Sequence, residues 1–160
     1  MKDFIIVNTL DELDLESKHL VHKAEEILRY AYAPYSKFSV GAALLLDNGV
    51  IVTGTNQENA AYPAGMCAER VALFTMASQY PGISIKKLAV VAKGENAQDL
   101  SPATCCGSCR QVMLEFEQRQ NKVFEVIMLT QDHQWVKANS AESLLPFSFS
   151  KTSMEKVHGP

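Results

Sequence analysis

The sequence predicts a three-layer α/β/α sandwich with a mixed central sheet, and three observations carry that expectation. Segments of helical periodicity alternate with short apolar runs along the chain. Asp47-Asn48-Gly49 separates two of those runs closely enough to form an antiparallel hairpin. Later runs are joined through helical segments, which permits parallel strands, and elements alternating in this way place helices on both faces of one sheet.

Taken in order, residues from about Leu15 to Tyr32 put Leu20, Val21, Ala24, Ile27, Leu28 and Ala31 on one helical face, with Lys18, Lys23, Glu26 and Arg29 elsewhere. Pro34 ends that helix. Phe38 to Leu46 and Val50 to Asn56 are small, β-branched or aliphatic and form the hairpin strands. Cys67 to Tyr80 reads as a mostly buried helix stopped by Pro81-Gly82. Lys87 to Ala92 contains Leu88-Ala89-Val90-Val91, a strand suited to cover on both faces. A loop bearing Gly94 and Pro102 leads into a helix from about Gly107 to Arg119, and Val123 to Thr130 is another apolar strand. Trp135-Val136-Lys137 adds a short strand, and Ala141 to Leu145 a helical turn before Pro146. One domain spanning residues 1–160 is expected, with 1–14 and 150–160 the least constrained parts and no repeat or linker between.

A chain of 160 residues can build one substantial core but is short for two. Its formal net charge of −3 gives no general attraction to phosphate backbones, so a nucleic-acid partner is disfavoured. No uninterrupted apolar run approaches the roughly 18 residues of a membrane span, and Met1-Lys2-Asp3 leads into a mixed segment rather than a signal-peptide core. A cytoplasmic location without a membrane partner is therefore expected.

The chemistry concentrates in the four cysteines, Cys67, Cys105, Cys106 and Cys109. A C-x-x-C in such a chain reads as metal or redox rather than as a disulfide scaffold. A thioredoxin-like dithiol would not require Cys67-Ala68-Glu69, whereas Cys67 with Cys106 and Cys109 supplies three soft ligands for zinc and leaves Glu69 beside an open coordination position. Both cysteine groups fall at the beginnings of helices, where unpaired backbone N–H groups favour the thiolate. Three thiolates on a divalent ion leave a net negative charge, which Arg70 can offset by donating to sulfur. Glu69 can take a proton from activated water and return it to a ring nitrogen or a leaving amine. The plain alternative for Glu69 is a solvated first-turn carboxylate favoured by the helix dipole. Zinc nucleobase deaminases use this chemistry with a ligand-x-Glu and Pro-Cys-x-x-Cys pattern.

Four linked segments resemble the small homotetrameric cytidine deaminases, over roughly Ala33 to Phe149. Tyr35-Ser36-Lys37-Phe38-Ser39-Val40-Gly41-Ala42-Ala43-Leu44 is similar to that family's YSxFxVGAAL, and Gly54-Thr55-Asn56-Gln57-Glu58-Asn59-Ala60 to its GxNxENA. Cys67-Ala68-Glu69-Arg70 matches CAER, and Cys106-Gly107-Ser108-Cys109-Arg110-Gln111 matches CGxCRQ. The resemblance implies a cytidine-deaminase-like fold with one Zn²⁺ per subunit on Cys67, Cys106 and Cys109, Glu69 as proton shuttle, and Arg70 behind the ligands. It further implies that Asn56 and Glu58 bond the ribose hydroxyls, that Phe38 packs on the nucleoside, and that the Ala68 backbone holds the base. Phe149 would stack in a neighbouring subunit's site, with Tyr62 near that contact, so a homotetramer is implied. Core packing is the rival for both aromatics. One departure stands out: Cys105 occupies a position that is commonly Pro in the family, with Pro102 displaced upstream. Cys105 is read as a spare buried or oxidisable thiol.

The implied reaction is hydrolysis of free cytidine and 2′-deoxycytidine to uridine and 2′-deoxyuridine with release of ammonia, in pyrimidine salvage. Alternatives are a blasticidin-S-type aminopyrimidine nucleoside deaminase, an editor of polynucleotides, and a non-catalytic scaffold stabilised by zinc. An editor should carry a basic stripe with interleaved aromatics, and this acidic chain has none.

Overall fold

Side chains alternate across a strand, so a strand apolar at every position must be covered on both sides. Phe38–Leu46 is such a strand: Ala42, Leu44 and Leu46 pack in one apolar layer and Ala43 and Leu45 in another. The computed structural model describes residues 3–155. The chain runs β1 (Phe4–Val7), α1 (Leu15–Ile27), β2 (Phe38–Leu46), β3 (Ile51–Thr55), α2 (Ala68–Gln79), β4 (Ile85–Gly94), α3 (Gly107–Gln120), β5 (Glu125–Leu129), β6 (Trp135–Ala138) and α4 (Lys151–Glu155). The six strands form one sheet in the order β1-β6-β5-β4-β2-β3.

Two layers of helix complete the sandwich. Leu20, Val21 and Ala24 of α1 meet Ala43, Leu45, Ala89, Val91 and Ile127 on one face. On the other, Ala72, Leu73 and Met76 of α2 and Met113 and Phe116 of α3 meet Leu44, Leu88, Val90 and Val126. The α2 layer comes unusually close to the hairpin. A Cβ on Gly54 would lie 2.5 Å from the Ala72 nitrogen and 2.7 Å from the Ala68 carbonyl oxygen, so only glycine lets the first turns of α2 rest on β3. Gly41 admits α1 in the same way, against the Ala24 carbonyl.

Charge also fastens α1 to the sheet. Lys87 on β4, Glu125 on β5 and Lys137 on β6 join Asp14, the N-cap of α1. Asp14 accepts from Ser17 N at 2.9 Å, from Lys87 Nζ at 2.9 Å and from Lys137 Nζ at 3.0 Å. Both lysines are buried, and each also bonds Glu125, at 3.0 Å and 3.1 Å. Burial pushes the Asp14 carboxyl up, but the Ser17 and lysine hydrogen bonds outweigh it and hold it well below the usual range.

Several boundaries depart from the periodicity. The first helix stops at Ile27 and tightens into a 3-10 turn, Leu28–Tyr30, instead of running to Tyr32. Helix ends often tighten in this way to satisfy their last carbonyls. Among the described strands only β4 and β5 pair in parallel; β4 lies antiparallel to β2, and β6 antiparallel to β5. Pairing with β6 also makes a strand of Phe4–Val7, in a stretch where the sequence pattern assigns no element. No described helix is long and apolar enough to cross a membrane.

Gly54→Ala should lower unfolding free energy in urea by about 1–3 kcal/mol, the usual cost of forcing atoms into a packed contact. Asp14→Ala removes the helix cap and leaves two buried lysines short of a partner, a loss of about 1–3 kcal/mol near neutral pH. Because the native carboxyl titrates lower than the unfolded one, its contribution is present above about pH 4 and vanishes as pH falls through the native value. Urea midpoints measured from neutral to acid should therefore converge for wild type and Asp14→Ala, and a gap that persists at low pH would contradict this account.

Candidate active site

Two helix beginnings meet on the α2/α3 face of the sheet. Cys67 is the N-cap of α2 and Cys106 the N-cap of α3, where the Cys106 sulfur accepts from Cys109 N at 3.4 Å. The Sγ atoms of Cys67, Cys106 and Cys109 all lie within 4.8 Å of one another, and no disulfide joins them. Two sulfurs each about 2.3 Å from a tetrahedral zinc stand roughly 3.8 Å apart. Cys67 and Cys106 are 3.8 Å apart. The donor set therefore fits zinc, with three soft ligands and no fourth protein ligand: among the described residues Cys105 is not part of the cluster, and burial pushes its thiol well up.

Three thiols this close cannot all ionise without a cation. A hydrogen bond from the Cys109 thiol, together with the Arg70 guanidinium, pulls Cys67 down to about 5. The same bond holds Cys109 up as a thiol. Arg70 Nη2 donates to Cys67 Sγ at 3.2 Å, and its Nε is buried with no partner among the described residues. That guanidinium stands where it can offset the negative charge of a metal–thiolate centre.

Glu69 lies two residues beyond the N-cap of α2, just after Ala68, and is only 5% exposed. Burial raises its carboxyl first, and the neighbouring Cys67 thiolate raises it further. A solvated first-turn glutamate is thus excluded. The residue stands at a cleft of about 1010 Å³ whose lining includes Phe38, Asn56, Glu58, Ala68, Arg70 and Cys106.

Asn56 sits just past the end of β3 rather than on the strand where the pattern puts it, and Glu58 follows, because the chain leaves the sheet after Thr55 and Gln57 bridges Tyr32 and Met66. Both still line the cleft. The Asn56 amide is clamped to β2: Oδ1 accepts from Val40 N and Nδ2 donates to Phe38 O, each at 2.9 Å. One N–H and one lone pair remain on that amide for a ligand. Glu58 accepts from Tyr35 N at 3.0 Å and Ser36 N at 3.2 Å, so the loop preceding Phe38 is tied to the same wall.

The two aromatics separate. Tyr62 lines the cleft at 76% exposure, its ring 6.0 Å edge-on from Tyr35. Phe149 is 61% exposed and is not among the residues lining this chain's cleft. Neither is a core residue of the chain. Met66, Val90, Thr104 and Gln131 also line the cleft without any sequence signal, since they come from a strand and loops brought together only by folding.

Residues 15–125 match the family model described as the cytidine and deoxycytidylate deaminase zinc-binding region. A cytidine deaminase of Sporosarcina psychrophila is 40% identical over 141 residues, covering 88% of this chain and 96% of that one. A crystal structure of cytidine deaminase from Burkholderia pseudomallei superposes with a TM-score of 0.67 at 38% identity, over 86% of this chain and 100% of the other. The cytidine deaminase structure from Mycobacterium tuberculosis gives 0.65 at 32% identity, over 86% and 99%. With the zinc-fitting trio of sulfurs, the buried glutamate and the shared sandwich, these likenesses place the chain in the family of zinc-dependent cytidine deaminases.

Proposed function

We propose that the protein hydrolyses free cytidine and 2′-deoxycytidine to uridine and 2′-deoxyuridine with release of ammonia, serving pyrimidine salvage in the cytoplasm as a homotetramer. The observation that carries this reading is the buried Glu69 beside three clustered thiols, in a cleft that also presents Asn56 and Glu58. Cys67, Cys106 and Cys109 would hold one zinc per subunit, with Arg70 donating to Cys67. Bound there, zinc supplies the Lewis acidity that makes water nucleophilic near neutral pH.

Glu69 does the proton work. It accepts a proton from the water that attacks C4 of the ring and delivers it to N3. It then carries the second proton to the amine, so that the C4–N bond breaks and ammonia departs. A carboxyl raised by burial suits both halves of that task, since its acid and base forms lie closer in energy near neutral pH. Asn56 and Glu58 would read the sugar hydroxyls, Phe38 would pack against the nucleoside, and the backbone at Ala68 would hold the base. Tyr62 and Phe149, exposed in the single chain, would be covered at a subunit contact where Phe149 reaches a neighbour's cleft.

Glu69→Gln should retain zinc, measured by atomic absorption, while turnover followed by loss of cytosine absorbance falls at least about 100-fold. Near-normal turnover would remove Glu69 from the mechanism, and a zinc-loaded wild type that leaves cytidine intact would sink the assigned reaction. Truncation after Pro146 should yield a protein of smaller assembly in sedimentation, with activity lost. A fully active truncated monomer would overturn the shared-site assignment.

A further inference from the structure

The three clustered cysteines are not equally restrained. Cys109 is fully buried in the core and Cys67 is half-buried against Arg70, but Cys106 is exposed. Little packing holds an exposed side chain, so apart from the Cys109 N–H bond to its sulfur its position depends on the backbone beneath it. That backbone is gripped from α3. Arg110 Nε donates to the Cys105 carbonyl oxygen at 2.9 Å, and Arg110 Nη1 donates to the Leu144 carbonyl oxygen at 3.1 Å. One planar cation thus ties the peptide leading into Cys106 to the 3-10 turn Glu142–Leu144.

The turn is itself fastened to the same helix. The Glu117 carboxylate accepts from Ala141 N and, at 3.1 Å, from Glu142 N. Gln111 Nε2 donates to the Phe149 carbonyl oxygen at 2.8 Å. The segment from Ala141 to Phe149 therefore lies along α3 at three points, and the contact nearest the cysteines reaches the loop that carries Cys106. Cys105, the residue whose carbonyl is held, also turns its buried side chain toward Glu69.

We infer that Arg110 is a positioning residue for the metal centre: by bonding the Cys105 and Leu144 carbonyls it holds Cys106 in register with Cys67 and Cys109, and it makes metal retention depend on the seating of the carboxy-terminal segment. The guanidinium suits this because its donors diverge in one rigid plane and can span two carbonyls, whereas a lysine ammonium is a single point that cannot. Groups just behind metal ligands commonly change metal affinity by about 10–100-fold when removed. The inference rests on the reading of the three cysteines as the zinc ligands.

The test is zinc release from the intact holoprotein into a colorimetric chelator under native conditions, alongside melting temperature. Wild type, Arg110→Ala, Arg110→Lys and a control, Gln120→Ala, are compared. Gln120 bonds both backbone groups of Ile85 from the far end of α3, at 2.8 Å and 3.0 Å, so its loss weakens helix docking away from the sulfurs. Arg110→Ala should release zinc at least about tenfold faster than wild type, and Arg110→Lys at an intermediate rate. Gln120→Ala should melt lower yet release zinc at the wild-type rate. Release from Arg110→Ala at the wild-type rate would overturn the inference, as would equal acceleration by Gln120→Ala. If Arg110→Ala does not fold, Arg110→Lys decides in the same way, since wild-type release from that variant would also overturn it. A wild type that binds no zinc would instead refute the ligand reading, so the two failures remain distinct.

Discussion

Three sulfurs within 4.8 Å of one another are a problem of charge before they are a binding site, because thiolates at that spacing repel unless a cation joins them. Much of the surrounding structure moderates that repulsion. Two helices begin at the cluster, Cys109 N donates to the Cys106 sulfur, and the Arg70 guanidinium donates to Cys67. The pull of Cys67 toward the thiolate and of Cys109 toward the thiol describes a site that cannot complete its ionisation alone. A divalent ion removes that conflict, which makes metal binding and the local fold one event.

The sandwich exists, from the site's point of view, to bring α2 and α3 to the same spot. Gly54 allows α2 to settle directly on β3, and this brings Ala68 and Glu69 down to the floor between helix and sheet. The parallel β4–β5 pair fixes where α3 must run, because the crossover between them has to return along the same face. On the opposite face, Asp14 and the two buried lysines hold α1 and leave the catalytic side free of it. Burial of Glu69 follows from this packing rather than from any property of its own turn.

The cleft draws on separate segments scattered between Tyr35 and Gln131, and its two ends are tied differently. The loop before β2 is bound to Glu58 through the amides of Tyr35 and Ser36, so that wall of the cleft is braced by a carboxylate. The metal side is braced by Arg110 and Gln111, which reach into the carboxy-terminal segment. Exposed Phe147 and Phe149 lie on that same segment. A single stretch thus borders both the metal loop and an uncovered apolar surface.

Local pattern was enough for much of this molecule. The hairpin around Asp47-Asn48-Gly49, the helices opening at Cys67 and Cys106, and the trio of sulfurs beside a glutamate all follow from short-range periodicity, turn chemistry and ligand spacing. Other features were out of its reach. Phe4–Val7 becomes a strand only because β6 offers it an edge, and neither a turn nor an alternating face announces it. The Asp14–Lys87–Lys137–Glu125 network, the Arg110 clamp and the placement of Gln131 in the cleft join groups far apart in the chain. The amino-acid order determined which residues could do the chemistry, because helix starts and soft ligands are local properties. Tertiary structure alone decided which of them are buried, paired and facing one another, because desolvation and long-range hydrogen bonds depend on what the rest of the chain places alongside.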